Sequence, residues 1–175
     1  MFDGTVDFVR DWITYRDGFG DVYGEHWTGN EFVHQYTEEY STTEMIAVST
    51  AFDGVQVAAK FKNFGLGDET SKYLLTYDEC IGLPGIFNGC SDWSSSAKDQ
   101  KFSTLDSDND RIGSVHCSLT RFGGWWYKYC FDVKLTGIYD STQSSNPENS
   151  GQFWKSFRGY TESLKGTKML VRRQI

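Results

Sequence analysis

The chain has 175 residues, a net charge of −7 and 17% aromatic side chains, which suits one domain with a packed core. Charged residues make up 23% and hydrophobic residues 38% of the sequence, a balance that excludes both intrinsic disorder and a membrane-spanning protein. An acidic chain without a basic run is a poor partner for nucleic acid or an anionic membrane, whereas its carboxylates could hold a metal cation.

The start of the sequence predicts two helices. Apolar side chains within residues 7–20 recur at i, i+4 and i+7, which predicts a helix that is capped by Asp7 and ended by Gly18. A second, shorter helix is predicted over 31–36 and would be capped by Asn30. The first helix would present one apolar face to the core.

A β-hairpin is the strongest signal of the next segment. Apolar side chains alternate over 46–52 and again over 55–61, on either side of the turn pair Asp53-Gly54. The alternation predicts two antiparallel strands that share one buried face. Residues 72–78 are predicted to form a further strand.

The second half of the chain has a different character. Gly, Ser, Asn and Asp dominate residues 80–165, with isolated aromatics and no long periodic run. We interpret this part as an ordered, loop-built lobe held by disulfides and by a metal. The whole of 1–175 is then one domain, made of a central sheet and helix part (1–79), the lobe, and a final strand within 166–175.

Four cysteines stand at Cys80, Cys90, Cys117 and Cys130, without a CxxC spacing. The three histidines do not pair at metal-ligand spacing, so a structural zinc site is not predicted. Pairing Cys80 with Cys90 and Cys117 with Cys130 closes two short loops and indicates an oxidising compartment. Four free thiols in a reducing compartment are the alternative.

No catalytic pattern is present in the sequence. It lacks the GxSxG, HExxH, P-loop and Rossmann glycine motifs, and it offers no paired nucleophile and base that can be recognised. We therefore predict that the chain is not an enzyme.

The segment FSTLDSDNDR indicates calcium. Asp106, Asp108 and Asp110 alternate, so a tight loop can turn their carboxylates towards one hard cation. An EF-hand would need Gly and Glu at its sixth and twelfth positions, where this chain has Arg111 and Cys117. The interpretation is a loop calcium site outside the EF-hand class, and the alternative is a solvated Asp-rich turn.

Motifs along nearly the whole chain resemble one family. DGTVDFVRDWITYRDGFGDVYGEHWTGNEFVH, FSTLDSDND, GGWWYKYC, LTGIY and FWKSFRGYTESLKGTKMLVRR follow each other in the order of the fibrinogen C-terminal (fibrinogen-related) family, which includes ficolins and tachylectins. The resemblance implies an α+β fold: a central, mostly antiparallel sheet, short flanking helices and a loop-rich, disulfide-stapled C-terminal lobe. The family's opening disulfide-bonded segment and strand would precede Met1, so an edge of the sheet is expected to be unprotected.

The resemblance also implies a calcium site and a disulfide. Calcium (Ca2+) would take the carboxylates of Asp108 and Asp110 and the backbone carbonyls of Ile112 and Ser114, with Asp106 in support. Cys117 and Cys130 match the family's disulfide, while Cys80 and Cys90 would form an added local staple.

The family's ligand pocket would lie beside the second of these cysteines. A cis peptide bond between Tyr129 and Cys130 would present the N–H groups of Cys130 and Phe131 to a ligand oxygen. Tyr160 would supply an aromatic wall. The implied ligand-binding residues are Arg121, Tyr129, Cys130, Phe131, Glu148 and Tyr160.

From this resemblance we expect a secreted, calcium-binding lectin for acetylated or related glycans and glycoproteins, active in innate-immune recognition. The alternatives are a protein-binding module for adhesion, signalling or aggregation, and an incomplete copy without a ligand. No nucleic acid or membrane partner is expected, and homo-oligomers would form through N-terminal segments. The opening MFDGTVDFVRDW is not a signal peptide, so a leader would have been removed or the chain is a fragment.

Overall fold

The computed structural model describes residues 3–141, 150–160 and 162–174. Its helices are α1 (Trp12–Asp17), α2 (Asn30–Glu39), α3 (Cys90–Ser96), α4 (Cys117–Arg121) and α5 (Lys155–Arg158). Its strands are β1 (Phe19–Gly20), β2 (His26–Trp27), β3 (Thr43–Thr50), β4 (Gln56–Lys62), β5 (Gly65–Leu66), β6 (Leu75–Thr76), β7 (Glu79–Ile81), β8 (Phe87–Asn88), β9 (Val133–Lys134), β10 (Phe153–Trp154) and β11 (Gly166–Arg173). The predicted α+β fold is confirmed.

The start of α1 differs from the prediction. Asp11, not Asp7, caps the helix, because its carboxylate accepts the backbone N–H of Thr14 at 2.9 Å. The carboxylate of Asp7 instead accepts the N–H of Val9 at 2.8 Å and forms a turn ahead of the helix. Gly18 ends α1 at a φ of 93°, as the sequence predicted.

Helix α2 is longer than the predicted 31–36. Gly29 is its N-cap and makes no side-chain capping bond. Asn30 was predicted to cap this helix, but its side-chain oxygen accepts the indole N–H of Trp27 at 3.1 Å. The Asn30 amide therefore bonds a residue of β2 and does not cap α2.

The central sheet has the order β11-β3-β4-β7, with antiparallel pairing throughout, and β8 adds to β4 in parallel. The predicted hairpin is confirmed as β3 and β4, although its turn is wider than Asp53-Gly54, since the N–H of Ala51 already bonds the carbonyl of Val55. The predicted strand over 72–78 is wrong: only β6 is extended there. Lys72 and Tyr73 adopt φ of 62° and 48°, where the N–H of Tyr73 closes a turn to a carbonyl five residues back.

The lobe after residue 80 is built from loops around buried tryptophans. Trp93 contacts Trp125 at a ring-centroid distance of 5.4 Å and Trp154 at 6.1 Å. Trp125 and Trp126 are buried, as the sequence analysis expected of them. Both predicted disulfides are present, Cys80–Cys90 and Cys117–Cys130. In the part of the chain that the structure describes, no helix has the length and apolarity that crossing a membrane requires.

Candidate functional site

Asp106 fastens the Asp-rich loop, residues 106–117, to the first helix. Its carboxylate accepts the backbone N–H of Trp12 at 2.9 Å, at the start of α1, and the hydroxyl of Thr104 at 2.7 Å. His116 closes the other end of the loop, with its Nε2 at 2.9 Å from the carbonyl oxygen of Thr104. The loop is therefore fixed at both ends, and Asp106 holds one of them through its hydrogen bonds to Trp12 and Thr104.

Asp108 and Asp110 lie next to each other within this loop. The two oxygens of Asp110 accept the N–H groups of Ile112, at 2.7 Å, and of Cys117, at 2.8 Å. Asp108 accepts the N–H of Asp110 at 3.3 Å. Burial raises the pKa of Asp110, and the charge of Asp108 and a hydrogen bond to it raise that pKa further against the effect of the two N–H groups. A cation placed between the two carboxylates would relieve this conflict.

The donor set fits calcium. Ile112 is half-buried and Ser114 exposed, two and four residues after Asp110, so both belong to the same loop as the carboxylate pair and could supply backbone carbonyl oxygens. The described ranges contain no cluster of three or more His, Cys, Asp or Glu side chains at metal-binding distance, and the expected set needs only two carboxylates because carbonyl oxygens supply the rest. Calcium accepts such mixed oxygen ligands, and when bound it would neutralise the pair and stiffen the loop.

The loop is connected to the predicted ligand site by two routes. Asp110 accepts the N–H of Cys117, whose sulfur is bonded to that of Cys130. In addition, the N–H of Arg111 donates to the carbonyl of Lys128 at 3.2 Å. Ordering of the loop would therefore restrain residues 128–130 directly.

The peptide bond before Cys130 differs from the expectation. Every peptide bond of the described residues is trans, and Cys130 turns the chain with a φ of 56° instead. The N–H of Lys128 bonds the carbonyl of Cys130 at 3.2 Å across this turn. Tyr129, at the tip, is 70% exposed, and the ammonium of Lys128 lies 5.9 Å from its ring centroid.

Phe131 and Tyr160 lie together, as predicted, but their environments differ. The side chain of Phe131 belongs to the core and stacks on Phe153 at a centroid distance of 6.1 Å. Tyr160 meets Phe131 edge-on at 5.7 Å. Its hydroxyl donates to the carbonyl of Phe131 at 3.1 Å and to the carboxylate of Asp132 at 2.6 Å. Tyr160 is thus held rigidly beside the Cys130 turn.

Asp132 is the centre of a polar network that the sequence analysis missed. Its carboxylate also accepts from the ammonium of Lys155 at 2.9 Å and from the hydroxyl of Ser95 at 2.7 Å. Burial opposes ionisation of Asp132, but the bonds from Tyr160, Lys155 and Ser95 outweigh it and lower the pKa of the carboxyl. Burial, reinforced by the hydrogen bond to Asp132, raises the pKa of Tyr160 to about 12, so the phenol remains a donor at neutral pH.

Arg121 is placed near Phe131 by a buried lysine, a second residue that the sequence analysis missed. The ammonium of Lys134 donates to the carbonyls of Arg121 and of Ser150, the latter at 3.1 Å, and lies 5.0 Å from the ring centroid of Phe131. Burial, together with the charge of Arg121, depresses the pKa of Lys134 well below its ordinary value. No local pattern marks Lys134 or Asp132, because their partners are distant in sequence. Glu148 lies outside the described residues.

The comparisons with known proteins agree on one family. The model of the "Fibrinogen beta and gamma chains, C-terminal globular domain" matches residues 1–174. This chain belongs to that family. The fibrinogen-like globe domain of human ANGPTL6 superposes on this fibrinogen C-terminal domain with a TM-score of 0.90 and 32% identity, covering 100% of the chain and 76% of the relative.

Three further relatives help to place this fibrinogen C-terminal domain. Angiopoietin-4 of Mus musculus is 37% identical over 97% of the chain and 32% of its own length. Ryncolin-4 of Cerberus rynchops is 33% identical over 98% of the chain and 48% of its own length. Lamprey fibrin D-dimer, complexed with the peptide ligand Gly-His-Arg-Pro-amide, superposes with a TM-score of 0.83 at 26% identity, covering 98% of this chain and 58% of that one. The chain thus spans about a third to about a half of the curated relatives it matches.

Proposed function

We propose that this fibrinogen C-terminal domain is a secreted, calcium-stiffened recognition module that binds a protein segment at the surface formed by Tyr129, Asp132, Lys155 and Tyr160, hereafter the recognition surface. The observation that carries the proposal is the contrast between a buried Phe131 and an exposed Tyr129 beside a rigid charged network. Aromatic anchors with a polar rim are typical of protein interfaces.

Two features support a peptide ligand over a neutral glycan. The hydroxyl of Tyr160 is already bonded to Asp132, and the network offers Lys155 and Asp132 as charges of both signs. A peptide backbone supplies donors and acceptors for such a surface. A relative of the same fold is complexed with the short peptide Gly-His-Arg-Pro-amide.

We predict that Tyr129→Ala abolishes most binding of peptides selected on the wild-type chain. A random phage-displayed peptide library panned on the purified domain should yield binders, and their Kd for Tyr129→Ala should rise about tenfold or more, as expected for an interface anchor. Ile13→Ala is the control, since Ile13 is also an exposed apolar side chain but lies on α1. Equal binding to wild type and Tyr129→Ala would refute the recognition surface.

A lectin for acetylated glycans is the second candidate. It is supported by the aromatic pair Phe131 and Tyr160 beside Cys130 and by the similarity to Ryncolin-4, because aromatic rings are good surfaces for sugars. Retention on N-acetylated resin, reversed by free N-acetyl sugar, would favour this function. Retention of the selected peptides with no binding to the resin would favour the first.

Calcium is proposed to stabilise the domain through Asp108 and Asp110. Calcium at about one hundred times its Kd should raise the free energy of unfolding by about 2.7 kcal/mol, measured by thermal melting with and without EDTA. Asp110→Asn should lose this response, because one neutral ligand lowers affinity for a hard cation. Asp21→Asn, which changes a carboxylate in a turn outside the loop, should keep it, and an unchanged response of Asp110→Asn would contradict the site.

The compartment follows from the cysteines. Two disulfides persist in oxidising surroundings, which supports secretion.

The recognition surface holds no recognised catalytic pattern, and we propose that the domain binds its ligand without catalysis.

A further inference from the structure

Two cationic side chains meet at the carbonyl end of α3. The ammonium of Lys128 donates to the carbonyl of Ser95, in the last turn of the helix, at 3.1 Å. The guanidinium of Arg111 donates to the carbonyl of Asp99, just after the helix, at 3.3 Å. Ser95 and Asp99 are only four positions apart, and the backbone N–H of Arg111 bonds the carbonyl of Lys128 at 3.2 Å. The two positive charges therefore lie side by side, at a helix end that attracts cations.

Lys98 adds a third positive charge in the same turn of the chain. It directly precedes Asp99, and its ammonium donates to the carbonyl of Asp78 at 3.4 Å. The same ammonium lies 4.7 Å from the ring centroid of Tyr77. Lys98, Arg111 and Lys128 are hereafter called the basic cluster.

The basic cluster differs from other cations of the domain in the groups that it bonds. Six lysines and arginines elsewhere pair with carboxylates, namely Arg16, Lys60, Lys62, Lys155, Arg158 and Arg172. The members of the basic cluster bond carbonyl oxygens instead, and none of them forms an ion pair among the residues that the structure describes. A carbonyl leaves the positive charge uncompensated. In a chain of net charge −7, three such charges at one place attract an anionic ligand.

Most carboxylates around the basic cluster are already engaged. Asp132 accepts three hydrogen bonds within the recognition surface, and Asp78 accepts the amide of an asparagine side chain at 2.7 Å. Asp108 and Asp110 lie in the same loop as the arginine of the cluster and are the proposed calcium ligands. Asp99 is exposed. When calcium occupies the loop, the cluster therefore keeps a net positive charge.

The basic cluster adjoins the recognition surface. Lys128 directly precedes Tyr129, and its ammonium lies 5.9 Å from the centroid of that ring. Ser95, whose carbonyl accepts from Lys128, donates its hydroxyl to the carboxylate of Asp132 at 2.7 Å. A segment anchored on Tyr129 therefore passes directly beside the cluster.

We infer that the protein segment bound at the recognition surface is acidic, and that its carboxylates bind the basic cluster beside the residue that packs on Tyr129. Charge complementarity of this kind selects partners and speeds their association. The guanidinium of Arg111 can bind a carboxylate through two parallel N–H groups. This ligand chemistry rests on the proposed function, because both concern the same surface.

The composition of selected peptides tests the chemistry of the ligand. A random phage-displayed library panned on the intact chain in calcium should yield binders that depend on Tyr129, and Asp and Glu should be about twofold or more enriched in them over the unselected library. Tyr129-dependent binders without this enrichment would overturn the inference and leave the proposed function standing. An absence of Tyr129-dependent binders would overturn both.

A double-mutant cycle tests the contact with Lys128. The strongest selected peptide is compared, by fluorescence anisotropy, with a copy in which every Asp and Glu is replaced by Asn or Gln. The neutral copy should bind the wild-type chain about tenfold more weakly, or by about 1.4 kcal/mol. This difference should shrink to about twofold or less in Lys128→Gln. Salt at about 1 M, where the Debye length is about 3 Å, should shrink it in the wild-type chain as well.

Lys165→Gln is the matched control. Lys165 is exposed, and its N–H bonds the carbonyl of Thr50 at the turn end of the β3–β4 hairpin, far from the basic cluster. This variant should keep the full difference between the two peptides. Equal differences in Lys128→Gln and Lys165→Gln would overturn the inference and leave Lys128 as a cap of α3 only. Retention on heparin without preference for the acidic peptide would also overturn it, because the occupant would then be a sulfated glycan.

Discussion

Replacing Cys117 and Cys130 by serine together is expected to lower the free energy of unfolding by about 3 kcal/mol, the usual effect of opening a loop of this size. The two cysteines are 13 positions apart, and Cys117 is fully buried in the core. The N–H of Cys117 also anchors Asp110. Chemical denaturation of the oxidised wild type and of the double variant measures the difference.

The second disulfide is the control for this prediction. Cys80 and Cys90 are 10 positions apart, so replacing them by serine should cost a similar amount by loop entropy. Of the two variants, only Cys117/Cys130 should also show a reduced calcium stabilisation, because of the two disulfides only that one joins the Asp-rich loop to the Cys130 turn. Calcium responses that are equally reduced in both variants would contradict this coupling.

Glu44→Gln is expected to destabilise the domain by about 2 kcal/mol. Glu44 is 3% exposed on β3 and bonds both Lys60 on β4 and Arg172 on β11, so it joins three strands. Removing the charge of Glu44 leaves the two cations, Lys60 and Arg172, facing each other. The loss of stability is smaller than for a fully buried ion pair because Arg172 is exposed. Thermal or denaturant melting at neutral pH measures it.

An exposed ion pair of the same sheet provides the comparison. Lys62 and Glu79 join β4 to β7 at 2.9 Å, with both side chains well exposed, so Glu79→Gln should change stability by less than about 1 kcal/mol. The two variants alter the same chemical group in the same sheet and differ in burial. Equal losses of stability would show that burial of Glu44 is not the cause.

The Glu44 contribution also has a definite pH dependence. The hydrogen bond from Lys60 is the main cause that lowers the pKa of Glu44, with a further bond from Arg172, against burial. Because the pKa of Glu44 is lower in the folded state, the unfolded chain takes up this proton at a higher pH than the folded chain does. The contribution of Glu44 to stability is therefore complete above the unfolded pKa of about 4.3, and it is lost as pH falls through the folded pKa. The stability difference between wild type and Glu44→Gln should therefore shrink in acid.

Local patterns predicted the parts of the fold that depend on neighbours in sequence. Alternating apolar residues located β3 and β4, and Gly18 located the end of α1. The strand predicted over 72–78 failed because a turn closed by the N–H of Tyr73 overrides its apolar character. The cap of α1 was misplaced because two aspartates compete, and only Asp11 reaches an N–H of the helix.

The candidate site was predictable only where it is contiguous. The Asp-rich loop and the cysteine pair are local signals, and they lie in contact as expected. The network around Asp132 joins Ser95, Lys155 and Tyr160, and only tertiary packing brings these residues together.

The most direct test of the central claim is an amide NMR spectrum of the wild-type chain recorded during a calcium titration. The claim is that calcium in the loop restrains the recognition surface through Cys117 and Cys130. It predicts that resonances of Asp108, Asp110 and Ser114 shift together with those of Cys130 and Asp132, along one saturating curve. Shifts confined to the loop, or no saturable shift at Asp108 and Asp110, would contradict the claim.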